Sequence, residues 1–179
     1  MYINKYKNKS TPKKELVIKK ANTKDIPDLI LFQETVLSKL EDKTVWGAFA
    51  NSEWEEIMNT TGEYYLAFNS DEIVAFALLN INEKDLKEYD LDGIDLSKVA
   101  IYDGIMVKQE YWGNNIQQQF SFEIAKKSKK RGMKYIVGTI APDNKYSKNN
   151  MLAIGYKIIN QKVIHNGIRD VYFKQIEEE

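Results

Sequence analysis

The chain has 179 residues, enough for one domain with a sizeable core. Hydrophobic residues make up 43% of it and charged residues 29%, as is typical of globular domains. Basic and acidic residues balance at 26 each, so the basic excess of most nucleic-acid-binding proteins is missing. The lack of cysteine excludes disulfides, thiolate catalysis and cysteine-bound metal. A single histidine, His165, cannot form a multi-histidine metal site, although carboxylates alone could hold magnesium or calcium. We expect no metal.

The sequence predicts where the protein resides and how it is divided. No apolar run approaches the ~20 residues that a membrane helix needs, and no secretory apolar region follows Met1. We therefore expect a cytoplasmic protein that binds neither membranes nor nucleic acid. Residues 1–14 carry five lysines and no acid, so they are predicted to form a basic tail before a single domain of residues 15–176.

The first half of the chain predicts a strand, two helices and a hairpin. The strand is "ELVIKKA", and "KDIPDLILFQETVLSKL" has apolar residues at helical spacing after a cap at Asn22 or Thr23. The second helix is expected to begin near Ser52, because Ser52 and Glu55 have the spacing of a capping box. The hairpin strands are "EYYLAF" and "IVAFALLNI".

The second half predicts a strand, a helix, a strand, a short helix and a closing hairpin. An acidic segment, residues 82–98, is expected to cover the sheet edge before a buried strand at Val99–Val107. A helix runs from Ile116 to about Arg131, and Gly132 takes the left-handed cap. The remaining elements are the strand "KYIVGTIA", the helix "DNKYSKNNMLAIGY" and the strands "KIINQKVI" and "RDVYFKQI". This order predicts an α/β (α+β) fold, a mixed sheet with helices on both faces.

The turn "EYWGNNIQQQF" follows the buried strand Val99–Val107 and opens a helix. Backbone amides at a helix start can bind phosphate, and such turns are usually rich in glycine. This turn has one glycine, Gly113, so it is either an anion cradle built with amide residues or an ordinary loop. Because ligands bind where connections leave the carboxyl ends of central strands, and "APDN" follows the neighbouring strand, we favour the cradle.

These motifs resemble a known family. The element order, "DGIMV" running into "EYWGNNIQ", and "APDNKYSKNNMLAIGY" are together similar to the GNAT superfamily of acyl-CoA-dependent N-acyltransferases, over residues 15–176. The resemblance implies a six- to seven-stranded, mostly antiparallel sheet, with a splay between the fourth and fifth strands beyond Met106. It also implies that acetyl-CoA or CoA binds in this cleft as a co-substrate, with its pyrophosphate on the amides of the Gly113 turn.

The fit to the family motif is partial. Asn144 matches the family's pantetheine-binding asparagine, and Ser147 matches the small residue three positions later. Trp112 replaces the motif arginine or glutamine, Asn115 the first glycine and Gln117 the second small residue. One subgroup, whose loop reads Arg-Gly-Asn-Gly-Leu-Gln, fits better. The resemblance assigns cofactor binding to Ile105, Met106, Val107, Trp112, Gly113, Asn114, Asn115, Ile116, Gln117, Asn144, Ser147 and Asn150.

The departures at positions 112 and 115 predict weakened CoA binding rather than none. The amides and dipole of the helix start remain whatever the side chains are. Asparagine tolerates left-handed backbone better than any residue except glycine, so Asn115 can keep the turn.

Direct acyl transfer needs a deprotonated amine, a polarised carbonyl and a stabilised thiolate. We expect a backbone amide near Met106 or Val107 to polarise the carbonyl. For the base, the candidates are Asp103 and, second, Tyr102. The family often has a tyrosine acid seven residues after the asparagine, but this chain has Met151 there. Candidates to stabilise the thiolate instead are Ser147, Tyr146 and Asn150.

The predicted function is N-acetyl transfer from acetyl-CoA to a primary amine, either a small molecule or a peptide. The alternative is a catalytically weakened CoA-binding regulatory or interaction protein on the same fold. The acidic stretch Glu83 to Asp95 either attracts a cationic amine or is a solvated loop. His165, in the last hairpin turn, is either exposed and inert or lines the acceptor site. That hairpin also makes a homodimer possible.

Overall fold

The computed structural model describes residues 2–3, 14–41, 46–164 and 167–177. Seven strands form one sheet in the order β3-β4-β5-β6-β7-β9-β8, and two short strands, β1 and β2, pair separately. Among the described strands of the large sheet, only β6 and β7 are parallel neighbours. The strands are β1 (Tyr2–Ile3), β2 (Lys14–Glu15), β3 (Val17–Lys20), β4 (Gly62–Asn69), β5 (Glu72–Asn80), β6 (Val99–Val107), β7 (Tyr135–Ile140), β8 (Lys157–Ile164) and β9 (Gly167–Gln175). The predicted mixed, mostly antiparallel sheet is confirmed.

Helices cover both faces of this sheet, as predicted. They are α1 (Ile26–Ser38), α2 (Asn51–Thr60), α3 (Glu83–Leu86), α4 (Ile116–Lys130) and α5 (Lys145–Ala153). Asn22 caps the 3-10 turn that leads into α1, as expected. Gly132, just past α4, has φ +78°, which is the predicted left-handed cap. No described helix has the length and apolar character that crossing a membrane requires.

Alternation along the strands divides the core between the two faces. Tyr65 and Ala67 of β4 pack with residues of α4 and α5, whereas Tyr64 and Leu66 pack with α1 and α2. A third cluster covers the other end of the second face, where Leu86, Tyr89 and Leu91 of the acidic segment pack on β6, β7, β8 and β9. The segment therefore covers a face of the sheet, and the expectation that it covers an edge was wrong, because its apolar residues are buried.

Strands β6 and β7 separate early. They pair only from Val99 to Ile101 of β6, opposite Tyr135 to Val137 of β7. At the next residues the register between β5 and β6 shifts, so that Leu79 lies opposite Tyr102 and Leu78 opposite Gly104, with Asp103 as an extra residue. A bulge of this kind bends a strand and raises its twist. We call the point where the strands separate the fork; the predicted splay is present, but it begins at Tyr102 rather than beyond Met106.

The start of α2 differs from its prediction. The helix begins at Asn51 with Ala50 as its cap, and the Glu53 carboxylate accepts a hydrogen bond from the Ala50 amide. The predicted box of Ser52 and Glu55 was wrong by two residues, since Ser52 already lies inside the helix. The consequence for the site is that Glu53 is fixed at the first turn of α2.

Candidate active site

A cavity of about 660 Å³ passes through the fork. On the α4 and α5 side it is lined by Gln117, Asn144, Ser147 and Met151. At the fork its walls are residues 102–105 of β6 and 138–141, from the end of β7 onwards. On the other face it is lined by Trp46, Phe49 and Glu53 near the start of α2 and by Asp85, Glu88 and Tyr89 of the acidic segment. The volume is in the range of small-molecule sites. Because the lining differs between the two faces of the sheet, the fork joins two chambers of different character.

The turn before α4 has the backbone of an anion cradle. Gly113 has φ +76° and Asn115 has φ +57°, so both residues are left-handed, as expected for Asn115. In the described part of the chain, the amides of Gly113, Asn115, Ile116 and Gln117 donate to no backbone carbonyl. The Asn114 side chain bonds the carbonyls of Tyr111 and Trp112, which holds the turn in shape. Free amides at a helix start suit a phosphate group.

The free edge of β6 presents hydrogen-bonding groups to the fork. The Lys108 amide donates to the Val74 carbonyl, and in an antiparallel pair such bonds recur at every second residue. The Met106 amide therefore points to β5, whereas the amides of Ile105 and Val107 point away from β5. Of the two expected carbonyl donors, this geometry favours Val107 over Met106.

Side-chain amides join α4 to α5 beside the cradle. Gln117 Nε2 donates to Ser147 Oγ at 2.5 Å, and Asn150 Nδ2 donates to Gln117 Oε1 at 2.8 Å. Asn144 caps α5 through its Oδ1, which accepts from the Ser147 amide at 3.1 Å. Its Nδ2 group is then the part of Asn144 suited to a ligand carbonyl. Ser147 lines the cavity and, having accepted from Gln117, can donate its own hydroxyl proton.

Asp103 is held at the fork by Asn80, a residue that sequence reasoning missed. Asn80 is buried, and its Oδ1 accepts from Thr61 Oγ1 at 2.7 Å and from the Asn82 amide at 3.2 Å. Its Nδ2 must therefore point the other way, where it donates to Asp103 at 3.2 Å and to Asp85 at 3.3 Å. A buried asparagine next to an acidic segment is the signal that could have found it.

Tyr102 and Met151 constrain the acid–base chemistry. Burial raises the pKa of the Tyr102 hydroxyl well above its usual value, with a smaller contribution from Tyr156, and the hydroxyl donates to the Gln117 carbonyl at 3.2 Å. Tyr102 therefore stays protonated at neutral pH, which leaves Asp103 as the better base. Met151 is buried and lines the cavity but has no proton to donate.

Other candidate residues lie away from the cavity. The Trp112 indole donates to the Val107 carbonyl at 2.9 Å and lines a separate depression beside α1. Tyr146 is 84% exposed and is not part of the cavity wall. His165 lies outside the described residues. Four predicted cofactor-binding residues line the cavity directly: Ile105, Gln117, Asn144 and Ser147. Met106 packs in the α1–α2 core, Val107 lies on β6, Asn150 bonds Gln117 from α5, and the rest form the cradle turn.

Comparison with known proteins agrees with this geometry. The model of the acetyltransferase (GNAT) family matches residues 31–156. The fold is similar to that of a GNAT acetyltransferase from Streptococcus pneumoniae, with a TM-score of 0.69, 17% identity and coverage of 91% of this chain and 100% of that one. An N-acetyltransferase from Staphylococcus aureus Mu50 gives a TM-score of 0.70, 15% identity and coverage of 90% and 98%.

The protein yncA from Salmonella typhimurium, solved with its cofactor acetyl-CoA, is also similar. Its TM-score is 0.65 at 12% identity, with coverage of 92% of this chain and 96% of that one. The comparison with curated proteins gives no match. The fork, the cradle turn and the shared fold define a protein built like an acyl-CoA-dependent acetyltransferase. Since the family model spans more than half of its residues, the chain belongs to the acetyltransferase (GNAT) family.

Proposed function

We propose that this protein transfers an acetyl group from acetyl-CoA to a primary amine by direct attack. The observation that carries the proposal is the cavity through the fork, which brings the cradle side and Asp103 into one space. Acetyl-CoA fits the first chamber, because α4 offers free amides for a pyrophosphate and β6 offers an unpaired edge for amide groups. The acceptor amine then approaches from the opposite face.

Each chemical requirement has a candidate residue. The Val107 amide polarises the thioester carbonyl, since it points towards the fork and not towards β5. Asp103, oriented by Asn80, accepts the amine proton directly or through water. Ser147 Oγ stabilises the departing thiolate by donating a hydrogen bond, and Gln117 holds that hydroxyl in place. Asn144 Nδ2 binds the pantetheine chain.

A second candidate function is a CoA-binding regulatory or interaction protein with weakened catalysis. It is favoured by Met151, which occupies the position of the family's tyrosine acid and fills it with a buried thioether. Position 112 also carries an indole, bonded to the Val107 carbonyl, where the family motif has arginine or glutamine. The cytoplasmic location and the possible homodimer predicted from the sequence stay predictions.

Two measurements test the proposal in order. Calorimetric titration with acetyl-CoA should give saturable binding that Asn144→Ala weakens, because a pantetheine amide would lose its partner. Release of free thiol is then measured with a panel of primary amines. Binding with amine-dependent thiol release supports the enzyme, binding without it supports the regulatory alternative, and no binding contradicts both.

A further inference from the structure

The ionisable lining of the cavity is mainly acidic. Among the described residues that line it, four carry carboxylates and one, Arg169, carries a guanidinium. We call the four carboxylates Glu53, Asp85, Glu88 and Asp103 the acidic half of the cavity. All of them lie at the fork or on the α2 and α3 side, whereas the uncharged side chains of Gln117, Asn144 and Ser147 line the cradle side. An acceptor that enters this half meets an environment that favours positive charge.

The four carboxylates are arranged for an extended cation. They come from three separate elements around the cavity: Glu53 from α2, Asp85 and Glu88 from the acidic segment, and Asp103 from β6. Within the described ranges no group of three or more acidic or histidine side chains converges closely enough to hold a metal ion. Carboxylates contributed by several elements suit a molecule with more than one positive centre.

The aromatic walls of the acidic half point to the same class of ligand. Trp46 and Phe49 line it, and faces of such rings attract organic cations. Tyr64 is fully buried behind this wall, and its hydroxyl has no hydrogen-bond partner among the described residues. Burial raises the pKa of Tyr64, and the charges of Asp103 and Glu53 raise it further. Carboxylates and aromatic rings that line one cavity suit an organic ammonium ion.

We propose that the acceptor is an aliphatic diamine or polyamine, an inference that rests on the proposed acetyl transfer. One amino group lies next to the fork at Asp103 and Asp85, which share the Asn80 amide, and a second, still protonated, lies against Glu88. Glu53, at the first turn of α2, adds to the attraction. The spacing of the two cationic groups, rather than the identity of the carbon chain, determines recognition.

The residues present account for the bonds and protons of the acetyl transfer. The neutral amine nitrogen attacks the thioester carbonyl carbon, a C–N bond forms and the C–S bond breaks. The sulfur leaves with the electron pair of that bond and takes up the proton that nitrogen loses on acylation, while Asp103 holds the proton that it first removed from the ammonium. The products are a mono-acetylated diamine and CoA, and the second ammonium keeps its charge throughout.

The test compares amines that differ in one group. Thiol release is measured with spermidine and 1,4-diaminobutane, with butylamine, which lacks the second cation, and with 4-aminobutyrate, which has an anion in its place. We expect kcat/KM for the two polycations to exceed that for butylamine at least ten-fold and that for 4-aminobutyrate by more. Glucosamine is included as an amine on a bulky sugar ring that carries no second charge.

A single variant identifies the second cation site. Glu88 is exposed to the cavity side and Glu88→Gln keeps its size, so we expect the fold to be retained. This variant should lower kcat/KM for 1,4-diaminobutane at least ten-fold, mostly through KM, and should lower it far less for butylamine, which has no second cation to place at Glu88. Asp92→Asn, an exposed acid of the same segment outside the cavity lining, is the matched control and should change neither.

Direct titration with spermidine separates this inference from the proposed function. Saturable spermidine binding that Glu88→Gln weakens supports the cation site even if no thiol is released, in which case only the transfer reaction fails. If acetyl-CoA binds and thiol is released equally well with butylamine, glucosamine or 4-aminobutyrate, the diamine proposal is wrong while acetyl transfer stands. Absence of spermidine binding in a protein that binds acetyl-CoA also overturns it.

Discussion

Gly138 of β7 lies so close to Tyr102 of β6 that a Cβ atom on the glycine would come within 3.0 Å of the tyrosine carbonyl oxygen. The contact is at the fork, and the carbonyl belongs to the backbone, which cannot move aside cheaply. We expect Gly138→Ala to lower the free energy of unfolding by about 1–3 kcal/mol, the usual cost of overpacking. Urea denaturation measures the change, and the same variant should slow thiol release because the cavity walls shift.

Gly104 provides the matched control. A Cβ atom there would meet ring atoms of Trp46 and Phe49 at 3.3 and 3.4 Å, and these belong to side chains that can shift. Gly104→Ala should therefore cost less stability than Gly138→Ala. An equal loss of stability in both variants would show that the close backbone contact at the fork is not the cause of the loss in Gly138→Ala.

The left-handed backbone of Asn115 gives a prediction about the cradle. With φ +57° and no capping bond from its side chain, this residue contributes mainly its tolerance of that conformation. Asn115→Gly should keep or tighten CoA binding, whereas Asn115→Ala should lose about 1–2 kcal/mol of stability, the cost of left-handed backbone for an ordinary residue. Denaturation and calorimetric titration check the pair. Tighter CoA binding in the alanine variant would contradict the assignment.

Met151 gives a prediction about the missing acid. Met151→Tyr places a hydroxyl in the cavity wall at the family's acid position, and a positioned proton donor can raise a rate by roughly 10²-fold or more. We expect a gain of at least about ten-fold in kcat, since the larger ring also disturbs packing. Met151→Phe has nearly the same size without the hydroxyl, so it should show no gain. A similar rate in the two variants would mean that thiolate protonation does not limit turnover.

Glu63 gives a prediction about acid stability. Burial raises the pKa of its carboxyl, but hydrogen bonds from Lys20 and Tyr65 and the charges of Arg131 and Lys20 outweigh this, so the net pKa lies below 4.5. A carboxyl whose pKa is lower in the folded state stabilises the fold at pH values above its pKa in the unfolded chain. This stabilisation is lost as the pH falls through its pKa in the folded protein. Glu63→Gln should cost about 1.5–3 kcal/mol at pH 7, the range for hydrogen bonds to charged groups. The difference from the parent should shrink below pH 4.5.

Urea denaturation at several pH values between 7 and 3 tests this effect. Glu55→Gln, which removes an exposed carboxyl of α2, is the control and should follow the parent at every pH. A constant difference between Glu63→Gln and the parent over the whole range would exclude an ionised Glu63 as the source of the stabilisation.

Trp112 gives a prediction about CoA affinity. Trp112→Arg should tighten CoA binding by about 1–3 kcal/mol if the guanidinium reaches a phosphate, because the bond is charge-assisted. Trp112→Phe, which removes only the donor to the Val107 carbonyl, should not tighten it. The gain of the arginine variant should fall with added salt, and calorimetry at two salt concentrations shows whether it does.

The sequence predicted most of the sheet because its strands are apolar and clearly bounded. Val99–Val107 has the predicted bounds, and Gly132 the predicted conformation. The bulge at Asp103 could not be predicted, since an extra residue in one strand depends on its pairing with β5 and leaves no periodic signal. The splay was therefore expected too late along β6, and the sequence left Met106 and Val107 open as the residue that presents its amide.

The cradle side of the site was predictable from motifs, whereas the acidic half was not. Gln117, Asn144 and Ser147 follow local patterns near helix starts. Glu53 and Glu88 reach the cavity only because α2 and the acidic segment pack on the same face, and that requires long-range contacts. Of the acidic stretch Glu83 to Asp95, the structure brings Asp85 and Glu88 into the cavity lining.

The extra residue at Asp103 puts the two ends of β6 out of phase. Ala100 and Tyr102 face the α4 side, and so do Ile105 and Val107, although even and odd positions should face opposite sides of a regular strand. The number of residues in this strand is therefore as constrained as their chemistry. Removal of one residue at the bulge would exchange the amides that face β5 with those that face the fork. It would also turn Met106 out of the α1–α2 core, so a deletion of one residue would change the side chains on both faces of the sheet.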